Sequence, residues 1–347
     1  MYRIVATDLD ETLLDSTHHV PLRVREAVAL ARARGVRLVL ATGRPFSSVE
    51  GTLGELGMLG APDEHVLSFN GGVLTRVGDP TPLTTCRLPR ERAEALYRFG
   101  VERGLSMHVN TLDPVYVYRY LPEERAYVGD RMRVVETSAP DLSPVYEDGH
   151  EVVKLLYMSL DMGLLRDARD ELARLGLTDG LDVCFSANRY LECNAPGVNK
   201  GAGLMALARR LDVDASEVMA VGDSSNDVSM LRAAGLGVAV ANASEDALAA
   251  ADYVCRADND AGLPGERRHG RGRGPARGPP AAAAARGPHR PSLRSGRSRH
   301  ERGRRPRGGG ARALRVAVRP RCAPCWRGPT STSAPRWAGS TSWRPRR

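Results

Sequence analysis

Apolar and polar positions alternate in two different rhythms along this chain. Tyr2–Thr7 is a short apolar run that predicts a strand. Val24, Val28, Leu30 and Ala31 then form a helical stripe; Pro21 suits a first helical position and Gly35 the stop. Val36–Ala41, "VRLVLA", predicts a second strand, and "TGRP" turns the chain into a helix near Phe46–Leu56. "HVLSFNGGVLTR" predicts two strands around an Asn-Gly-Gly turn. Strand and helix alternating in this way build a doubly wound, Rossmann-like parallel sheet, an α/β fold.

From Thr84 to Arg189 the rhythm changes. Glu91–Arg103 and Leu164–Leu175 predict helices, while "VYVYRY", "VVKLLYMSL" and "LDVCFSA" predict strands. "RYLEC" is a further strand that starts at the far edge of this stretch. Helices over an antiparallel sheet fit this order, so residues 84–189 are expected to be an inserted α/β cap domain. The first rhythm then resumes. Lys200–Leu211 predicts a helix, "EVMAVGD" a strand, Asn226–Ala234 a helix, and "GVAV" and "DYVC" two more strands. Asn242, with Glu245 three residues on, resembles a helix cap. The core domain is therefore expected to be discontinuous, 1–83 and 190–262.

Composition separates off a third part. Residues 263–347 hold 23 Arg, no Lys, two Glu and no Asp, whereas residues 1–262 hold 27 basic and 39 acidic residues. The net charge of +9 is thus an average over an acidic head and a strongly basic tail. The tail carries 12 Pro and 13 Gly, too many for a packed core, so it is expected to be disordered. Three readings compete for it. It could be a nucleic-acid-binding arm. Cys322-Ala-Pro-Cys325 could begin a zinc knuckle, although His269, His289 and His300 are poorly spaced to finish one. Or it is a frameshift product, since a GC-rich gene read out of frame yields Arg, Gly, Pro, Ala and Ser. Composition favours the third, which leaves the core without a closing helix. The head has no 18-residue apolar run, no basic-then-apolar leader and no metal-like cysteine spacing. These point to a cytoplasmic protein, with no membrane partner and with free thiols. Nothing in the sequence sets the oligomeric state.

Four strand ends carry polar residues, and ligands of open α/β sheets bind at the carboxyl ends of strands. Asp8-Leu9-Asp10-Glu11-Thr12 follows the first strand, and Thr42-Gly43-Arg44 the second. Lys200 stands in "NAPGVNKG", one of two lysines in the protein; the other is Lys154. Gly222-Asp223-Ser224-Ser225-Asn226-Asp227 follows "EVMAV". Taken singly, each is matched by a bland alternative: an acidic loop, a capping Thr42, a solvated Lys200, an Asp-Ser turn. Paired carboxylates also suit a hard-oxygen Mg²⁺ site.

In order and context, "DLDETLL", "LATGR", "NAPGVNKG" and "VGDSSNDVSML" resemble the four motifs of the haloacid-dehalogenase-like (HAD) phosphohydrolases. They are most similar to those of the Cof-type sugar phosphatases, whose large α/β cap lies between the second and third motifs. The resemblance covers residues 1–262. It implies Mg²⁺-dependent hydrolysis of small phosphorylated metabolites through an aspartyl-phosphate. Asp8 would be the nucleophile and Asp10 the general acid and base, with Thr42 and Lys200 completing the catalytic set. Leu9, Gly43, Arg44, Asn70 and Asn226 would bind phosphate or substrate. Asp8, Asp10 (through its carbonyl), Asp223 and Asp227 would hold the metal. Two rivals remain: a phosphomutase-like phosphotransferase of the same superfamily, and a nucleic-acid binder acting through its tail. Substrate choice is left to the cap, where His108, Asn110, Tyr116, Tyr118 and Arg119 are candidates, each as readily cap surface or core.

Overall fold

A computed structural model of the chain describes residues 1–260. The expectations for the tail, including the nucleic-acid arm, the zinc knuckle and the misread segment, lie outside the described residues. The chain begins with β1 (Ile4–Thr7), α1 (Leu22–Ala33), β2 (Arg37–Ala41), α2 (Glu50–Glu55), β3 (His65–Ser68), β4 (Val73–Arg76) and β5 (Asp79–Thr85). The middle section contains α3 (Arg90–Glu102), β6 (Ser106–Asn110), β7 (Val115–Tyr118), α4 (Pro122–Val128), β8 (Val134–Thr137) and α5 (Ser143–Glu147). It continues with β9 (Lys154–Met158), α6 (Met162–Arg174), β10 (Asp182–Ser186) and β11 (Tyr190–Asn194). The last section is α7 (Lys200–Arg210), β12 (Val218–Gly222), α8 (Val228–Ala233), β13 (Leu236–Ala239), α9 (Glu245–Ala250) and β14 (Tyr253–Val254).

The first sheet has the order β14-β13-β12-β1-β2-β3-β4-β5. From β14 to β3 all pairings are parallel; β4 and β5 close one edge antiparallel. Its central strands are unbroken apolar runs, as strands covered on both faces must be. One set of helices buries Ile4, Ala6, Val39, Leu204, Leu207 and Ala220. On the opposite side Leu38, Leu40, Val49, Leu53 and Val66 pack together. The doubly wound expectation therefore holds.

The second sheet has the order β10-β11-β9-β6-β7-β8 and is antiparallel except between β7 and β8. Successive side chains of a strand point to opposite faces. One face, with Met107, Val109, Leu155, Tyr157 and Leu191, packs on Leu96 and Phe99 of α3 and Leu165 and Leu172 of α6. The other presents His108, Asn110, Lys154, Glu192 and Asn194, all buried. Two sequence expectations need correction. Tyr190–Asn194 pairs with β9 and β10, so the expected boundary at 190 falls inside a hairpin of the second sheet. A turn with left-handed Ala187 and Asn188 closes that hairpin, and its polar residues look like a linker in sequence. Likewise the cap of α9 is Ser244, which accepts from Ala247 N, while Asn242 donates to the Glu11 carbonyl instead.

Candidate active site

The four motifs meet at the carboxyl end of the first sheet. β1 and β12 are adjacent and parallel, which brings the loops holding Asp8 and Asp223 side by side. Lys200 opens α7, which starts at that same edge because Asn199 caps it by accepting from Ala202 N at 2.8 Å. Lys200 is wholly buried and bridges two carboxylates, Asp8 Oδ1 and Asp227 Oδ1, each at 2.6 Å. Carboxylate oxygens of Asp8, Asp223 and Asp227 lie within 4.8 Å of one another. The other Asp227 oxygen accepts from the N–H groups of Asp223 and Ser224, both at 3.0 Å. This folds the loop back on itself, so the α-helix expected from Asn226 starts only at Val228. Thr12 and Ser224 each donate a hydroxyl to Asp223 at 2.5 Å.

Three carboxylates lie around one ammonium here, and the titration of two of them, Asp8 and Asp223, reflects it. Burial raises the Asp8 carboxyl well above its ordinary range; Lys200 opposes this, while Asp227, Asp223 and Asp10 add to it. Burial and Asp227 push Asp223 up to about 6 against the pull of its hydroxyl donors. Burial alone would lower Lys200, but Asp227 and Asp8 outweigh it and hold the ammonium charged. Negative charge is in excess at this point.

Asp10, two residues on, is held differently. Arg44 grips it from both sides of the carboxylate, Nε to Oδ2 at 2.8 Å and Nη2 to Oδ1. Thr42 Oγ1 accepts from Arg44 N at 3.1 Å, which leaves its own O–H to donate into the cleft. The Thr42 carbonyl accepts from Asn70 N. Phe69 and Asn70 are both left-handed, at φ 50° and 56°, a conformation that asparagine tolerates better than most residues. The turn aims the Asn70 amide inward, where Nδ2 donates to Glu192 Oε2 at 3.0 Å and Oδ1 accepts from Asn226 at 3.3 Å. Asn226 Oδ1 is buried with no partner.

The expected residues thus converge, with one exception. Leu9 buries its side chain among Leu13, Leu14 and Val20 and does not line the cleft. Of the cap candidates, His108 and Asn110 face the cleft. Tyr116 and Tyr118 alternate to the other face. Tyr116 donates to Asp148, Tyr118 stacks edge-on against Tyr97, and Arg119 is tied to the Gly104 carbonyl. Sequence reasoning assigned no site role to Lys154, Ser186, Tyr127, Arg131, Tyr190 or Glu192, all of which line the cleft. The available signal was a single charged residue inside each of two apolar strands, "VVKLLYM" and "YLEC". The cleft lies between the two sheets and opens to solvent, with about 780 Å³ of space including its mouth.

Known proteins resemble this chain in sequence and fold. Residues 5–264 match the profile of the haloacid dehalogenase-like hydrolases. YxeH of Bacillus subtilis is 30% identical over 270 residues, 76% of this chain and 96% of that protein. The HMP-PP phosphatase of Escherichia coli strain 55989 is 30% identical over 252 residues, 70% of this chain and 85% of that protein. A haloacid dehalogenase-like hydrolase from Bacteroides thetaiotaomicron superposes with a TM-score of 0.63 at 30% identity, covering 75% of this chain and 96% of that one.

Proposed function

The chain belongs to the haloacid dehalogenase-like hydrolases and is a phosphatase of that family, and from this premise we propose that it hydrolyses small phosphorylated metabolites, sugar phosphates foremost, with Mg²⁺ as cofactor. One observation carries the reading: Lys200 bridging Asp8 and Asp227 beside Asp223 at the end of parallel strands. The donor set fits the ion, because hard carboxylate oxygens converge with more negative charge than one lysine offsets. Asp8, Asp223 and the Asp10 carbonyl would hold it. Asp227 supports them from behind, its oxygens taken by Lys200 and two N–H groups. Bound there, Mg²⁺ supplies charge neutralisation for an anionic nucleophile meeting an anionic ester.

The protein's own groups do the rest. Thr42 O–H and the backbone after it seat the phosphoryl oxygens. The Asp8 carboxylate forms a bond to phosphorus as the ester P–O bond breaks, and Asp10 gives the leaving oxygen its proton. Asp10 then takes a proton from water, the water oxygen bonds phosphorus, and phosphate departs as the Asp8 carboxylate is restored. Lys200 offsets charge at Asp8 throughout. To carry a proton, Asp10 has to leave the grip of Arg44, and a phosphoryl group at Thr42 offers Arg44 another anion to bind. The polar floor of His108, Asn110 and Ser186 suits a hydroxylated leaving group. Cys184, Cys193 and Cys255 are free thiols, in keeping with work in the cytoplasm. Among the described residues no helix is long and apolar enough to cross a membrane.

The experiment is phosphate release from a panel of sugar phosphates, nucleotides and pyridoxal phosphate, with and without Mg²⁺, with Asp8→Asn alongside. Release that needs both the ion and Asp8 supports the reading. Release unaffected by Asp8→Asn removes it.

A further inference from the structure

Lys154 on β9 and Glu192 on β11 are diagonal neighbours on one face of the second sheet and form an ion pair, 3% and 2% exposed. A buried pair is a poor way to gain stability, because apolar residues of similar size commonly do as well or better. The opposite face of the same strands is built that way, with Leu155 and Leu191. The contacts of the pair point to another purpose, because two of them leave the sheet. Lys154 Nζ donates to the Gly43 carbonyl at 2.9 Å, and Glu192 Oε2 accepts from Asn70 Nδ2 at 3.0 Å. Asn70 in turn accepts from Asn226. The pair therefore touches the two turns of the first sheet that flank Thr42.

The bond to Gly43 acts through a rigid unit. The Gly43 carbonyl and the Arg44 N–H belong to one planar peptide group, so holding the oxygen fixes the direction of the N–H. That N–H donates to Thr42 Oγ1 at 3.1 Å. Lys154 thereby sets which way the Thr42 hydroxyl turns, without touching it. The approach is close. A Cβ at Gly43 would lie 3.3 Å from Asn70 Oδ1, a tight approach, and 3.5 Å from both Glu192 Oε1 and Lys154 Nζ, an ordinary contact, so the loop packs directly on the amide and the pair.

We propose that the Lys154–Glu192 pair orients the Thr42–Gly43 loop and the Asn70 amide, so that the second sheet takes part in forming the phosphate seat. Both are positioning residues. The inference rests on the reading of Thr42 as that seat. The test measures inorganic phosphate affinity by calorimetry in Mg²⁺, which needs no turnover, together with melting temperature. Lys154→Met alone strands a buried carboxylate and melts low. The double variant Lys154→Met/Glu192→Leu removes both charges and melts within a few degrees of the natural protein, yet binds phosphate about tenfold or more weakly. Gly43→Ala keeps both charges, crowds the Asn70 amide that Glu192 holds, and loses phosphate affinity by a smaller factor. Undiminished phosphate affinity in Gly43→Ala, or in a folded double variant, overturns the coupling while leaving the seat intact. Thr42→Val binding phosphate as tightly as the natural protein overturns the seat and the coupling with it.

Discussion

The protein has two lysines, and each is buried against carboxylates, but the two settings differ. Lys200 faces an excess of negative charge: Asp8 and Asp227 at 2.6 Å, with Asp223 beside them. Lys154 faces Glu192 alone, a balanced pair. The titration of the acids follows. Burial raises both Asp8 and Asp223; Asp227, Asp223 and Asp10 add to the rise of Asp8, and Asp227 to that of Asp223. Glu192 is pushed up by burial too, but Lys154 and the hydroxyl of Ser186 outweigh this and bring it below its ordinary value. An overcharged cluster is poised to take up a cation. A balanced pair has no such demand and serves by where its atoms point.

The comparison can be broken in four ways. Asp8→Asn has the largest effect expected, a fall in phosphate release of roughly a thousandfold or more, read as single-turnover rate. Lys154→Met leaves Glu192 buried without its partner and costs about 3–5 kcal/mol in urea unfolding. Glu192→Gln strands Lys154 in the same way. The overcharged cluster behaves in the opposite sense: Asp223→Asn removes a repelled charge, so the metal-free variant is at least as stable as the natural protein. Mg²⁺ at 100 times its Kd adds about 2.7 kcal/mol to the natural protein and much less to Asp223→Asn, a contrast visible by thermal melting. The smallest effect is on pH dependence. Glu192 titrates lower in the folded protein than in the unfolded chain, so its contribution is full above the unfolded value of about 4.3 and fades as pH falls through the folded one. The stability gap between the natural protein and Lys154→Met/Glu192→Leu should move in that acid window and stay flat above it.

Much of the first region could be read in the sequence because its chemistry is local to strand ends. Asp8, Thr42 and Asp223 each follow an apolar run directly, and the parallel order of those runs brings them together. Lys154 and Glu192 gave no comparable signal, since their proximity depends on the register between β9 and β11, which neither strand encodes alone. Sequence alone does not separate Tyr116 from His108 for the same reason. Alternation says that residues one apart face opposite ways, but not which face is the cleft. The boundary near 190 was misplaced because the turn at Ala187 and Asn188 has the same polar composition as an interdomain link. Asn242 resembles a cap in sequence because it stands three residues before Glu245. The helix begins two residues later, where Ser244 does the capping.

The burial of both lysines also makes the protein unusually quiet toward amine chemistry. Met1 is almost fully exposed, whereas Lys154 and Lys200 are 3% and 0% exposed. Acylating reagents and amine cross-linkers should therefore leave both lysine side chains of the native chain unmodified. A lysine-specific endoproteinase finds two sites, one in the middle of the second sheet and one in the first turn of α7. Cleavage at either requires that element to open, and the two cuts give fragments of different length. A single digestion series could thus report separately how often the second sheet and α7 come apart.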